Sequence, residues 1–402
     1  MFAASSQLLG RIFGPQFTFE TLVKCILKVE GKSAEVESWN LYASDEQTGN
    51  LSTMARLEIV WKQNDCGLPR KFLIKVPIFE KMDSLFLGVP ETPAEEREKI
   101  AKLMGSTGHK TECDFYAFFR QTAPPCATPK TYFGRYLSET HCGLLVMEDL
   151  ANAAATIPGP VMTDQQILQA IDALVPLHVY SIEQDSWRDL FPPAEPEKIA
   201  GFVELMHSAT RTLVELNADL FAELVPKLDW VFDKQFMFTH VLRAYEKLGI
   251  PPVLVHGDFW KNNLLFSKNP DGTVSDQLTC VIDWQLSHKG NCTEDMARLL
   301  YSSVRTQYRR ENTDRLLKYY HDNLCSRLGR EPFTLEQVKK CWVATFPYVT
   351  AYFMFFLPLI VHLPVAKGPD GPALLAYLSQ SLKDLMEDCL KLKYFYDDCM
   401  TK

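Results

Sequence analysis

Apolar positions in the first third of the chain fall into short runs of strand length. Leu57–Trp61 and Phe72–Val76 read as paired strands around a polar loop that holds Asp65, Cys66, Gly67, Leu68 and Pro69. Thr111–Phe119 is spaced differently. It places Phe115, Phe118 and Phe119 on one stripe, which predicts a helix. Farther along come three more extended runs, Pro251–Val255, Leu264–Phe266 and Leu278–Ile282. The turn-forming residues of Ser267–Asp276, including Asn269, Pro270, Asp271 and Gly272, predict that the last two runs pair as a hairpin. Asn263 then enters one strand and Asp283 leaves its partner, so both side chains reach the same end of a two-stranded ribbon. Near the C-terminus, Cys341–Ala366 carries no formal charge and is long enough to cross a bilayer. Pro347, Pro358 and Pro364 interrupt it, together with Thr345, Thr350 and His362, so two or three shorter buried helices are predicted and no membrane span is expected.

The chemistry concentrates on that hairpin. His256-Gly257-Asp258 and Asn263 stand in a His-x-Asp-x-x-x-x-Asn spacing. Such spacing places one carboxylate, Asp258, to take a substrate hydroxyl proton and one carboxamide, Asn263, to hold a metal ion. Asp283 would hold the Mg²⁺ that bridges nucleotide phosphates. A phosphoryl-transfer site also needs a strand lysine for the α and β phosphates and a helix glutamate to steady it. Lys75, between Ile74 and Val76, is the candidate lysine; the alternative is an outward-facing strand lysine. Glu112 is the candidate partner, with Asp114, Glu95, Glu96 and Glu98 as carboxylates for the solvated face. Gly49-Asn50-Leu51-Ser52-Thr53 precedes the first strand. It either lays backbone N–H groups and hydroxyls, Ser52 among them, over a triphosphate or forms a plain hairpin turn. His256 is expected to brace its loop, and His178, on an apolar helix, to be a core residue. Thr293 reads as an N-cap with Glu294 and Asp295 in the first helical turn, where Asp295 starts the helix and braces the loop.

Lys75, Glu112 with Phe115-Tyr116, Val146–Leu150, Leu174–His178, His256–Leu264 and Asp283-Trp284-Gln285 with Asp295 together resemble the ecdysteroid-kinase-like, or choline-kinase-like, family. The resemblance runs from about Phe17 to about Lys393. That family belongs to the aminoglycoside phosphotransferase and choline kinase group. It implies an α+β, two-lobed protein-kinase-like fold, with an antiparallel-sheet N-lobe and a mainly helical C-lobe. It further implies ATP-dependent, Mg²⁺-assisted phosphorylation of a small-molecule hydroxyl. On this resemblance Asp258 is the catalytic base, Asn263 and Asp283 are the metal ligands, and Lys75 with Glu112 meets the nucleotide phosphates. Val146–Leu150 connects the lobes, so Met147 and Glu148 meet adenine through their backbone. Trp260 stands where protein kinases usually carry a lysine, with Lys261 one step on, which leaves open the cation that serves the transferring group. The short span from Asp283 to Asp295 leaves no room for an activation segment, so a protein substrate is not expected.

Composition fits this reading. The 402 residues are 47% hydrophobic and 23% charged, enough for two lobes with their own cores, divided here as residues 1–149 and 150–402. A net charge of −8 with no basic stripe argues against a nucleic-acid partner. Eleven cysteines without a Cys-x-x-Cys pair suit reduced thiols, and Met1–Phe19 lacks a secretory pattern; a cytoplasmic location is expected. Tyr348, Tyr352, Phe353 and Phe356 either wall an acceptor pocket, which would suit a lipophilic, sterol-like alcohol, or serve as plain core; a choline-like alcohol is the other acceptor considered. The alternative function is a nucleotide-binding pseudokinase or scaffold without turnover.

Overall fold

Alternation of apolar residues along the strands builds the first sheet. In the computed structural model, residues 12–13, 17–43, 52–63, 67–77, 94–121, 125–138, 142–150, 153–154, 161–193 and 195–395 are described. Strands β1 (Val36–Ala43), β2 (Ser52–Trp61), β3 (Lys71–Pro77), β4 (Thr131–Arg135) and β5 (Leu144–Glu148) form an antiparallel sheet in the order β1-β2-β3-β5-β4. Phe72, Ile74 and Val76 lie in one core with Leu57, Ile59, Trp61, Leu144 and Val146, closed by Leu22 and Ile26 of helix α1 (Phe19–Glu30). Local chemistry sets the ends of α1. The Thr18 hydroxyl accepts a bond from the Thr21 amide, and Gly31 ends the helix at φ 62, a conformation glycine adopts without penalty. Lys75 alternates away from that core, in register with Met54 on β2 and Leu145 on β5. Helix α2 (Ala94–Gln121) buries Phe115 and Phe119. The strands expected over Leu57–Trp61 and Phe72–Val76 and the helix over Thr111–Phe119 are therefore present. Gly49, Asn50 and Leu51 lie outside the described residues.

The described residues divide into two compact units. Residues up to 77, 94–121 and 128–150 make one; residues 125–127 and 153–395 make the other. The second unit is mainly helical. Strands β6 (Ala153–Ala154), β8 (Leu264–Lys268) and β9 (Val274–Val281) pair in the order β6-β8-β9, while β7 (Val253–Val255) pairs with β10 (His288–Gly290). Leu264 faces Val281 in the antiparallel β8–β9 pair, and Gly272 makes its turn at φ 84, so the expected hairpin is present. Its longer helices are α3 (Asp164–Glu183), α4 (Pro196–Leu216), α5 (Glu294–Ser303), α6 (Thr306–Leu328), α7 (Leu335–Ile360) and α8 (Gly371–Lys391).

Helix α7 departs from expectation. Pro347 and Pro358 lie inside one continuous helix, which ends only before Pro364. Each proline removes one backbone bond. Contact with α4, α5, α6 and α8 around α7 outweighs that loss, and Thr345 and Thr350 hydroxyls donate to the Cys341 and Phe346 carbonyls. Among the described residues α7 is the one helix long and apolar enough to cross a membrane, and 72% of its most apolar window is buried inside the protein. A capping box starts α7: the Thr334 hydroxyl accepts from the Gln337 amide, and the Gln337 side chain accepts from the Thr334 amide. Thr334→Ala is expected to lower the unfolding free energy by about 1 kcal/mol, measured by urea denaturation.

Candidate active site

Strand β7 delivers the central loop. Its Leu254 amide donates to the Ser181 hydroxyl of α3, and Val255 pairs with His288 of β10. Beyond it, His256 and Gly257 donate their amides to the two carboxylate oxygens of Asp295, at 2.7 and 2.9 Å. The His256 ring is buried; Nε2 donates to the Ile282 carbonyl, and Nδ1 accepts from the Asp258 amide at 3.2 Å. His256 is thereby committed to holding the loop against the end of β9. Gly257 sits at φ 84, and a Cβ there would lie 2.4 Å from the Leu286 carbonyl oxygen. Only glycine satisfies both requirements.

That fixed loop presents Asp258. Its Oδ1 accepts from Nε and Nη2 of Arg298, at 3.1 and 2.8 Å, while Oδ2 accepts from Nδ2 of Asn263 at 3.1 Å. The same Asn263 nitrogen donates to the Asp258 carbonyl at 2.9 Å. Asn263 immediately precedes β8, and its carbonyl accepts from the Ile282 amide, one residue before Asp283. Asp283 has φ 68, the one positive φ at a non-glycine position among the described residues. A non-glycine residue held there stores strain, which structures retain chiefly at functional positions. Gln285 donates to its Oδ2 at 3.3 Å. The hairpin thus brings Asp258, Asn263 and Asp283 to one end, as their spacing predicts.

In the first unit, Nζ of Lys75 donates to Oε2 of Glu112 at 2.7 Å, with both side chains largely buried. Glu112 thus takes the role expected of it. Asp114, expected on the solvated face, is buried instead and pairs with Lys110 at 2.5 Å, while Glu95 is exposed as expected. Ser52 opens β2 opposite Pro77 and is buried. Met147 and Glu148 lie within β5, in register with Leu73 and Phe72. The Glu148 amide donates to the Lys130 carbonyl, and its carboxylate accepts from the Lys130 amide. Both of those polar groups are therefore engaged by the residue before β4, and the chain leaves the sheet at Asp149, which pairs with Arg56 at 3.2 Å.

Two residues carry the site without having been assigned roles from sequence. Arg298 is one; it is the basic residue three positions after Asp295, a helical spacing that puts both on neighbouring turns of α5. His288 is the other, paired with Glu294 at 3.0 Å. Thr293 occupies the N-cap position, but its hydroxyl donates to Cys341 and meets Thr345 rather than capping α5. Asp295 braces the loop as expected. Burial pushes its carboxyl up to about 7 against the two amide bonds that favour the charged form. Burial works against the His288 imidazolium, yet the Glu294 carboxylate raises it to about 9. His178 is a buried core histidine bonded to the Tyr320 hydroxyl, and burial lowers it to about 3.

Among the described residues no group of three or more His, Cys, Asp or Glu could hold a metal by itself. The carboxylate of Asp283 and carboxamide of Asn263 instead fit a hard cation that shares its shell with phosphate oxygens and water, as Mg²⁺ does.

Three comparisons bear on this geometry. The model of the DUF1679 family, described as "Uncharacterized oxidoreductase dhs-27", matches residues 38–396. Two Caenorhabditis elegans proteins are 27% identical to the chain. One, named uncharacterized oxidoreductase dhs-27, aligns over 79% of this chain and 38% of its own length. The other, an uncharacterized kinase-like protein, aligns over 57% of this chain and 60% of its own length. The chain thus spans less than two thirds of either relative. Among solved structures, a candidate aminoglycoside phosphotransferase of Ralstonia eutropha superposes with a TM-score of 0.51 at 12% identity, covering 92% of this chain and 98% of that one. Choline kinase of Cryptosporidium parvum superposes at 0.50 and 13%, covering 88% and 91%. These likenesses establish the fold: α+β, two-lobed and protein-kinase-like.

Gly257→Ala should destabilise the protein by roughly 2–5 kcal/mol in urea denaturation, from backbone strain and the clash with Leu286. The His288–Glu294 pair sets a pH dependence. Because His288 is raised above its unfolded value, the pair's stabilisation is full below about 6.5 and is lost as pH climbs through about 9. Calorimetry from pH 6 to 10 should therefore show a fall in Tm that His288→Asn removes, and parallel curves for the two proteins would contradict the pairing.

Proposed function

The chain belongs to the DUF1679 family, and from that premise we propose that it is a small-molecule kinase that transfers the γ-phosphoryl group of ATP to an alcohol. Within that class, His256-Gly257-Asp258 with Asn263 and Asp283-Trp284-Gln285 favours the ecdysteroid-kinase-like and choline-kinase-like group. One observation carries the reading: Asp258 is fixed through both carboxylate oxygens beside Asn263, with a strained Asp283 at the same end of the hairpin.

Asp258 Oδ1 accepts two bonds from Arg298 and Oδ2 only one, from Asn263, so Oδ2 keeps a lone pair to receive the acceptor's hydroxyl proton. The acceptor oxygen then bonds to the γ-phosphorus as the bridging bond to the β-phosphate breaks, and ADP leaves with that electron pair. Asp283 and Asn263 would hold Mg²⁺, which would supply neutralisation of charge on the phosphate oxygens. Lys75, held by Glu112, supplies the cation for the α and β phosphates. His256, Gly257 and Asp295 keep the loop from shifting as the proton moves.

The name oxidoreductase, which the family description shares, is that of a relative of which the matched region is 38%. It receives no support from this chain's own residues. A dinucleotide-binding unit needs a parallel sheet opening on Gly-x-Gly-x-x-Gly; the five-stranded sheet here is antiparallel, and the sequence has no Gly-x-Gly.

The test uses the purified full chain with Mg²⁺ and ATP. Wild type should gain thermal stability from the pair and release ADP when hydroxylated metabolites are added. Asp258→Asn should keep the stabilisation and lose roughly 10²–10⁴-fold in turnover. Stabilisation without turnover in wild type would favour a scaffold, and full turnover by Asp258→Asn would remove Asp258 as the base.

A further inference from the structure

Helix α7 is buried over most of its surface, yet Tyr352, Phe353 and Phe356 are only half-buried, and their rings surround Arg298. The guanidinium carbon lies 4.3, 5.0 and 5.6 Å from those three ring centroids and 5.5 Å from that of Trp260. Arg298 also forms the two bonds to Asp258 and a third, at 3.2 Å, to the Tyr352 hydroxyl. Four aromatic rings beside a carboxylate form the kind of cage that captures a quaternary ammonium group. Here the chain fills that cage with a cation of its own. Arg298 does not lose its charge at any pH the protein survives, and its side chain is 7% exposed.

Two donors of this cluster, one on Arg298 and one on the Trp260 ring 5.5 Å from its guanidinium carbon, remain to be used. Nη1 of Arg298 and the indole Nε1 of Trp260 are buried without a hydrogen-bond partner among the described residues. Buried donors left unpaired are costly, and a ligand oxygen that accepts from them relieves that cost.

We propose that Arg298 selects the acceptor by charge: the enzyme takes an uncharged or anionic alcohol that carries a second oxygen near the reacting hydroxyl, and rejects choline-like cations. The inference rests on the phosphotransferase reading above and narrows its substrate class. A quaternary ammonium group entering beside Asp258 would meet a desolvated guanidinium, and the ring faces that would have held it already face Arg298. A carbonyl, hydroxyl or carboxylate oxygen on the acceptor would meet Nη1 and the Trp260 N–H, while the apolar body rests on Phe353 and Phe356. Arg298 thus both orients the base and sets specificity.

The experiment compares ADP release by the wild-type full chain, with Mg²⁺ and ATP, for three matched alcohols. These are choline, its uncharged isostere in which tert-butyl replaces trimethylammonium, and hydroxybutanoate. Choline is expected to have a kcat/KM about 100-fold or more below that of either other alcohol. In Arg298→Met the choline-to-isostere ratio should rise at least about 10-fold, a change that general loss of structure would not produce. Trp260→Phe should lower kcat/KM for hydroxybutanoate by about 10-fold and leave the choline-to-isostere ratio unchanged. Wild-type preference for choline over its isostere would overturn the inference and leave the kinase reading standing. So would a folded Arg298→Met with an unchanged ratio; should that variant not fold, the wild-type ratio decides. No turnover of any of the three, nor of a broader panel of neutral and anionic alcohols, would remove the kinase reading and this inference together.

Discussion

Helix α5 is buried on all sides and still carries three ionisable side chains, Glu294, Asp295 and Arg298. Charges withdrawn from water to this degree are tolerated only when each finds a partner. The partners found are the His288 ring, the amides of His256 and Gly257, and the carboxylate of Asp258. The need to satisfy one buried helix therefore fixes strand β10, the loop after β7 and the proposed catalytic base at once. Removing any one partner leaves an uncompensated charge in the core. That constraint explains why the loop can be held by so few residues.

The hairpin adds the second constraint. Antiparallel pairing of Leu264 with Val281 places Asn263 and Asp283 together without any contact between their side chains being required. The strain at Asp283 is absorbed by the flanking structure, where Trp284 is buried and its indole donates to the Val281 carbonyl. Strand pairing and turn chemistry thus supply position, while α5 supplies charge.

The legible part of the site was the part written in local spacing. His256, Asp258, Asn263 and Asp283 lie within one stretch of sequence whose turn residues announce a hairpin, so their convergence follows from local rules. Glu112 was harder, because several carboxylates share its helix and only the register of β3 against its neighbours selects it for Lys75. The prolines of α7 misled for a related reason. A proline's cost is local and readable, whereas the packing that outweighs it comes from four helices far apart in sequence.

From the residues alone came the strand and helix types, the hairpin and the polar side chains at its end, because each depends on neighbours within a few positions. The tertiary structure alone decided that Arg298 would meet Asp258 and be enclosed by Trp260, Tyr352, Phe353 and Phe356, and that Glu148 would bond the Lys130 backbone. Those choices bring together residues separated by tens of positions along the chain. They are settled by which buried charges and donors must be satisfied once the helices have packed, a requirement with no periodicity for the sequence to display.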